Sequence, residues 1–87
     1  MFILMSACVY ILWSEHIQRY YIGVTENLER RVREHNQGIS KYTKRGVPWE
    51  LVWSTQKANK SEAVLLERKL KNLKSGKRIA AFIQKYS

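Results

Sequence analysis

The chain has 87 residues, a formal net charge of +9 and a hydrophobic content of 45%, which predict one small domain over residues 1–87 and exclude intrinsic disorder. Its single cysteine, Cys8, excludes an internal disulfide and a cysteine-based zinc site. A lone cysteine also favours a reducing compartment, so we expect a cytoplasmic protein.

The chain opens on an apolar segment, MFILMSACVYILW. A signal peptide needs basic residues ahead of its apolar run, yet the first basic residue is Arg19. The run is also shorter than the roughly 20 residues that span a membrane. We therefore expect a buried strand here and no membrane partner, and the sequence leaves open whether Met1 or Met5 is the true start.

Two strand-like segments, ACVYILW and RYYIGV, flank the polar stretch SEHIQ and predict a β-hairpin. If the strands end at Trp13 and Gln18, Tyr10 lies directly opposite Tyr21 and both point to one face. Gly23 shares that face and leaves a gap through which another group can approach the backbone. The opposite face is the more apolar and is expected to meet the main core; it carries Val9, Ile11, Trp13, Tyr20, Ile22 and Val24.

Helical and strand-like segments alternate in the rest of the chain. TENLERRVREHNQG predicts a helix that Thr25 or Asn27 caps and that ends at Gly38. A basic loop, a third strand (WELVWS), a second helix begun by Asn59 and a short final helix after Ser75 follow. The order ββαβαα with hairpin-joined strands predicts an α+β domain with a small, mainly antiparallel sheet.

The positive charge is concentrated toward the end of the chain, where residues 57–87 hold nine Lys or Arg against two Glu. Such an excess favours nucleic acid or another polyanion as a partner, although a lysine-rich helix can equally be a solvated surface. Binding to a membrane surface is not expected, because the apolar helix faces are needed by the core.

Both long helices place charges on their apolar faces. In the first helix Arg31 and His35 share a stripe with Leu28 and Val32, and in the second Glu67 lies among leucines. An inward charge is costly unless it is paired or serves a charged ligand, so two interpretations stay open: an internal Arg31–Glu67 ion pair, or charges lining a concave site that faces the tyrosines. The outer surface of the first helix is expected to hold Glu29, Arg30, Arg33 and Glu34.

The chemistry of these inward residues favours a phosphodiester-cleaving site. Such a site needs a carboxylate for a divalent metal, a cation for the charge that develops on phosphorus, and a base for water. The segments CVY, YIG, NLERRVREHN and SEAVLLERKLKNLKSGKR together resemble the GIY-YIG nuclease superfamily, above all its small single-domain bacterial members, from about Ala7 to Ile83. Cys8 stands where the family has its first glycine.

This resemblance implies a three-stranded antiparallel sheet flanked by helices and a divalent-metal-dependent endonuclease, acting on DNA more than on RNA in repair or recombination. It also assigns roles to individual residues. Glu67 would bind one Mg²⁺ or Mn²⁺ together with water. Gly23 would keep the strand backbone close to the nucleic acid. The catalytic residues it implies are Tyr10, Tyr21, Arg31, His35 and Glu67.

Several roles are left open by the sequence. One tyrosine would activate water, which requires the metal and Arg31 to lower its pKa, and His35 would either share that role or position Tyr10. Lys41, Lys44 and Arg45 are candidate phosphate contacts, with plain solvation as the alternative.

Two other classes of function compete with a nuclease: a catalytically idle nucleic-acid-binding module that acts with a partner protein, and a basic structural protein. The preferred substrate and the oligomeric state are not predicted.

Overall fold

The computed structural model describes residues 6–87, so the predicted strand character of residues 1–5 lies outside the described part. Three strands, β1 (Ala7–Ser14), β2 (Arg19–Thr25) and β3 (Glu50–Lys57), form one antiparallel sheet in the order β2-β1-β3. The predicted α+β class and the order ββαβαα are confirmed. In chain order the elements are β1 (Ala7–Ser14), β2 (Arg19–Thr25), α1 (Leu28–Asn36), a 3₁₀ turn (Lys44–Gly46), β3 (Glu50–Lys57), α2 (Lys60–Lys71) and α3 (Gly76–Tyr86).

The hairpin is real, but its register differs from the predicted one. Tyr10 lies opposite Gly23, and Tyr21 lies opposite Leu12. The strands run on to Ser14 and Arg19, which leaves a four-residue turn whose last residue, Gln18, has a left-handed backbone with φ 55°. A shift of two residues keeps every side chain on its predicted face, because the side-chain period of a strand is two.

Each face of the sheet carries its own apolar cluster, and the larger cluster lies on the face that was predicted to meet the main core. The larger cluster lies under α2 and α3, and its buried residues are Ala7, Val9, Ile11, Ile22, Ala63, Leu70 and Ile79. The smaller cluster lies under α1, where Tyr10, Leu12 and Trp49 are buried and Tyr21, Leu28, Val32 and Val47 pack around them. Burial of a large aliphatic or aromatic side chain contributes about 1.5–3 kcal/mol, so both faces of the central strand stabilise the fold.

Side-chain caps start the three helices. Asn27 accepts a hydrogen bond from the Arg30 amide at 3.0 Å, which identifies it, rather than Thr25, as the cap of α1. Asn59 and Ser75 cap α2 and α3 in the same way. Past the end of α1, Gly38 adopts φ +75°, a conformation that favours glycine. Within residues 6–87 no helix combines the length and the apolar character that crossing a membrane requires.

Candidate active site

A buried hydrogen-bonded chain joins β1, α1 and the loop after α1. The Tyr10 hydroxyl lies 2.9 Å from His35 Nε2, and His35 Nδ1 lies 2.7 Å from Thr43 Oγ1. Tyr10 is 1% exposed and the other two residues are fully buried. The Thr43 carbonyl in turn accepts a hydrogen bond from Trp49 Nε1 at 2.6 Å. Every polar side-chain group in this hydrogen-bonded network thus has a partner, which makes the geometry of the network specific.

Gly23 makes room for the phenol of Tyr10. The two residues are paired across the hairpin, and a Cβ on Gly23 would fall 2.5 Å from the Tyr10 hydroxyl oxygen and 2.6 Å from its Cζ. Real Cβ atoms do not approach other atoms so closely, so only glycine fits while the ring stays in place. The gap predicted beside Gly23 is therefore filled by Tyr10, which gives this glycine a packing role.

The second tyrosine of the predicted site borders the same imidazole. Tyr21 is half-buried, and its ring centroid lies 4.9 Å from that of His35 and 6.2 Å from that of Tyr10. The indole of Trp49 lies beyond it, at 6.3 Å. The structure thus brings Tyr10, Tyr21 and His35 into one aromatic cluster, with Tyr21 as the member nearest to solvent.

Arg31 lies one helical turn before His35 and reaches the same cluster. The Tyr10 hydroxyl, followed by Glu34, raises the pKa of the Arg31 guanidinium, so this group stays charged. Its Nη1 lies 3.2 Å from Glu34 Oε1. Glu34 was predicted to face solvent; instead it is half-buried, because the three-residue spacing on a helix lets it turn toward Arg31.

Glu67 lies on α2, with its side chain 20% exposed, and Lys71 Nζ lies 3.3 Å from its Oε2. Its negative charge contributes to raising the pKa of Tyr10, which places the carboxylate within electrostatic reach of the aromatic cluster. Within residues 6–87 the alternative of a direct Arg31–Glu67 ion pair is not formed, since each residue has a partner on its own helix.

Burial is the largest cause of the pKa shifts of Tyr10 and His35. It raises the pKa of Tyr10 to about 12; Arg31 counteracts this rise, and Tyr21 and Glu67 add to it. Arg31 therefore acts in the predicted direction, but burial outweighs it. Burial, followed by the charge of Arg31, lowers the pKa of His35 to about 4, so the imidazole is neutral at pH 7.

The residues near the cluster fit one kind of metal ion. Within residues 6–87 no three His, Cys, Asp or Glu side chains come together in a way that could hold an ion. Glu67 is the carboxylate whose charge reaches Tyr10. One carboxylate suits Mg²⁺ or Mn²⁺, which accept oxygen ligands and keep several waters, whereas a zinc site needs three or four protein ligands. The Lys71 side chain, which pairs with Glu67, is 56% exposed and can turn into solvent, so a cation can displace it.

The predicted phosphate contacts lie at the surface of the loop after α1. Lys41, Lys44 and Arg45 are all exposed. They flank Thr43, whose hydroxyl meets His35 in the interior. The loop therefore presents cations to solvent, while Thr43 at its centre is part of the buried hydrogen-bonded network.

Three residues that position this chain were not identified from the sequence. Thr43 is bonded to His35, and the Trp49 indole is bonded to Thr43. Asn36 holds the Trp49 backbone from both sides, with its Oδ1 2.6 Å from the amide nitrogen and its Nδ2 3.0 Å from the carbonyl oxygen. Their sequence signals were a threonine in the middle of the basic loop and a tryptophan directly after it, which do not indicate a role.

Known proteins resemble this chain over most of its length. A family model for the GIY-YIG catalytic domain matches residues 6–80. A UPF0213 protein of Natronomonas pharaonis is 41% identical over 71 residues, which cover 80% of this chain and 82% of that protein. A UPF0213 protein of Oceanobacillus iheyensis is 41% identical over 66 residues, covering 75% and 76% of the two chains.

A solved structure has the same fold. The solution NMR structure of a UPF0213 protein from Bacillus halodurans superposes with a TM-score of 0.61 at 30% identity and covers 94% of this chain and 86% of its own. The family model spans most of the present chain, from the start of β1 into α3. This chain is therefore a small member of the GIY-YIG family, whose domain indicates nuclease activity.

Proposed function

We propose that this protein is a divalent-metal-dependent endonuclease that hydrolyses phosphodiester bonds, with DNA as its substrate. The observation that carries the proposal is the Tyr10 hydroxyl, which is held by a neutral imidazole and lies within the electrostatic influence of a guanidinium and a carboxylate. Phosphodiester hydrolysis needs this combination of an oriented hydroxyl, a fixed cation and a metal-binding anion.

Arg31 stabilises the extra negative charge of the transition state. Its side chain is 34% exposed, so a phosphate can reach it, and its contact with Glu34 limits its rotation. The guanidinium has five N–H donors, and one ion pair leaves several of them free for phosphate oxygens. A cation fixed before the reaction begins costs little reorganisation when the charge develops.

Tyr10 and His35 orient the site rather than carry protons away from it. The hydroxyl keeps its proton at neutral pH because its pKa is about 12, and the imidazole, with a pKa of about 4, does not remove that proton. The Tyr10 oxygen keeps a lone pair that can accept a hydrogen bond from a water and so hold that water in place. His35 is therefore a positioning residue for Tyr10.

Tyr21 is the tyrosine that meets the attacking water. It is more exposed than Tyr10, and within residues 6–87 its hydroxyl is not engaged in a hydrogen bond. A proton acceptor must lie within hydrogen-bonding distance of the water it activates, which favours the accessible hydroxyl. Glu67 would hold the Mg²⁺ or Mn²⁺ ion, which when bound supplies Lewis-acid stabilisation of the phosphate.

The test is a cleavage assay with branched, duplex and single-stranded DNA and the matching RNAs, with Mg²⁺, with Mn²⁺ and with EDTA. We expect metal-dependent cleavage of at least one DNA and none by Glu67→Gln. Glu62→Gln is the matched control, because it removes an equal charge from an exposed position of the same helix. Cleavage that persists in Glu67→Gln would refute the proposed role of the carboxylate.

A second candidate function is a catalytically idle nucleic-acid-binding module that acts with a partner protein. The specific observation in its favour is that burial raises the pKa of Tyr10 to about 12 and lowers the pKa of His35 to about 4, so neither buried residue is a ready proton acceptor and only Tyr21 is left to activate water. The same assay separates the two functions. Salt-sensitive binding without cleavage of any substrate, with either metal, would establish the module and exclude the nuclease.

A further inference from the structure

Two adjoining cavities form a groove at the turn end of the β1–β2 hairpin, outside the aromatic cluster of the candidate active site. One cavity, of about 560 Å³, is bordered by Tyr20 and Lys74. The other, of about 520 Å³, is bordered by Tyr42 and Arg45. The residues of the turn region, Ile17 and Arg19, border both cavities, so the two are neighbours. We call the surface formed by both cavities the hairpin-end groove.

The hairpin-end groove is lined by cations and by no carboxylate. Arg19, Arg45 and Lys74 border it, and all three are exposed. Within residues 6–87 none of these three takes part in an ion pair. The acidic residue of the hairpin turn, Glu15, accepts a hydrogen bond from Trp13 Nε1 at 2.8 Å. The groove therefore attracts anions, among them the phosphates of a nucleic-acid backbone.

Tyr42 places an unshielded aromatic ring beside these cations. It is 91% exposed, more than any other large hydrophobic side chain described. A tyrosine at such exposure contributes little to the folded core, since burial is what makes an aromatic ring stabilising. Its ring faces are free to stack on a planar ligand.

The loop that carries Tyr42 is anchored on both sides of the groove. The next residue, Thr43, is bonded to His35 in the interior. Ser14, at the end of β1, donates a hydrogen bond to the Gly46 carbonyl at 2.6 Å and accepts one from the Ile17 amide at 3.2 Å. These bonds tie the loop to both the hairpin turn and the active-site imidazole. Because the loop is already held in place, the binding of a ligand to Tyr42 costs little conformational entropy.

We propose that the hairpin-end groove binds an unpaired strand of the nucleic-acid substrate, with one base stacked on Tyr42 and the backbone phosphates on Arg19 and Arg45. Exposed aromatic rings set among cations are how proteins bind single strands, because an unpaired base offers its flat face whereas a duplex keeps its bases stacked inside. The inference deepens the proposed nuclease function: the substrate would combine the cleaved strand with a neighbouring single-stranded segment.

Binding without metal tests the groove independently of cleavage. Fluorescence anisotropy with a short labelled single strand and with the matching duplex, in EDTA, measures the affinity of the wild type and of each variant. We expect Tyr42→Ala to weaken single-strand binding by about fivefold or more and duplex binding much less, while Tyr42→Phe, which keeps the ring, binds as the wild type does. Circular dichroism checks that each variant is folded.

A charge variant tests the phosphate contacts. Arg19→Gln combined with Arg45→Gln is expected to lower the salt dependence of single-strand binding by about 1.4 in the slope of log K against log salt, as two lost phosphate contacts would. Arg68→Gln combined with Lys69→Gln is the matched control, because it removes the same charge from the outward face of α2. A slope unchanged by the groove variant, or lowered equally by the control, overturns the proposal.

The remaining outcomes separate the groove from the nuclease. If the wild type binds single strands through Tyr42 but cleaves no substrate, the proposed role of the groove is supported and the nuclease function is refuted. If the wild type cleaves but the Tyr42→Ala variant binds single strands as well as the wild type does, the nuclease function is supported and the proposed role of the groove is refuted. Failure of the wild type to bind any single strand also overturns the inference.

Discussion

The Tyr10 hydroxyl and His35 Nε2 lie 2.9 Å apart although 25 residues separate them in the sequence. This contact joins the central strand to α1, and the bond from His35 to Thr43 extends it to the basic loop. Because all three side chains are buried, the loss of one partner leaves a polar atom unsatisfied, at a cost of about 1–3 kcal/mol. The network thus couples stability to the geometry of the site.

The stability of the fold is expected to fall in weak acid because of His35. Its pKa is about 4 in the folded state against 6.5 when unfolded. Between these values the unfolded chain binds more protons than the folded one. The contribution of neutral His35 to the free energy of unfolding is therefore complete above pH 6.5 and is lost as the pH falls toward 4. The total loss is about 3 kcal/mol, at about 1.4 kcal/mol per pKa unit. Urea unfolding at several pH values measures it.

Two histidine variants identify the source of this pH dependence. His35→Gln removes the titrating group and should flatten the acid slope of stability, whatever its own effect at neutral pH. His16→Gln changes an exposed residue of the hairpin turn and should keep the slope of the wild type. An equally steep slope in His35→Gln would assign the acid sensitivity to other groups.

Gly23→Ala is expected to destabilise the protein by about 1–3 kcal/mol, the usual cost of overpacking. The added Cβ would lie 2.5 Å from the Tyr10 hydroxyl oxygen, so the ring and its bond to His35 must shift. Gly76→Ala is the control: its Cβ would lie 4.0 Å from Tyr20, an ordinary contact, and alanine favours the helix start there. Denaturant midpoints compare the two, and equal losses would contradict the role given to Gly23.

Side-chain periodicity explains why the faces of the elements were predicted well. The tyrosines kept their predicted face despite the wrong register, because an error of two residues leaves a strand's orientation unchanged. The stripe of α1 likewise placed Arg31 and His35 on the side of Tyr10, since residues three and four apart lie together on a helix. Alternation and helical spacing are local properties, so the sequence carries them.

The partners of the site residues were less predictable. Arg31 pairs with Glu34, and Glu67 pairs with Lys71. The sequence also allowed a direct ion pair between Arg31 and Glu67. Thr43 reached His35 only because the loop after α1 folds back onto the site. Loop paths and the choice among several charged neighbours depend on the packing of the whole domain, which spacing along the chain does not encode.

Lys71→Met is expected to strengthen the binding of Mg²⁺ by about 30-fold, because two unit charges about 4 Å apart in water repel by about 1 kcal/mol and Mg²⁺ carries two charges. In the structure Lys71 Nζ lies 3.3 Å from Glu67 Oε2. Stability should change by less than about 1 kcal/mol, since the Lys71 side chain is 56% exposed. Calorimetric titration with Mg²⁺ measures the affinity. Lys69→Met, on the outward face of α2, should leave it unchanged, and equal effects would argue against a metal at Glu67.

The two tyrosines should respond differently to the loss of their hydroxyls. Tyr10→Phe leaves His35 Nε2 without its partner, so it should lower the free energy of unfolding by about 1–3 kcal/mol as well as the cleavage rate. Tyr21→Phe keeps the ring packing around His35 and removes only the more exposed hydroxyl, so stability should stay within about 0.5 kcal/mol of the wild type.

Cleavage kinetics complete this comparison. If Tyr21 activates the water, Tyr21→Phe should lower kcat by about 10²-fold or more and flatten the rise of the rate with pH, because general base catalysis typically contributes that much. Tyr10→Phe should slow the reaction but keep the shape of the pH profile, since its hydroxyl only orients the reacting groups. A stable Tyr21→Phe variant with full activity, beside a Tyr10→Phe variant whose pH dependence is lost, would reverse the two roles and make the buried hydroxyl the base.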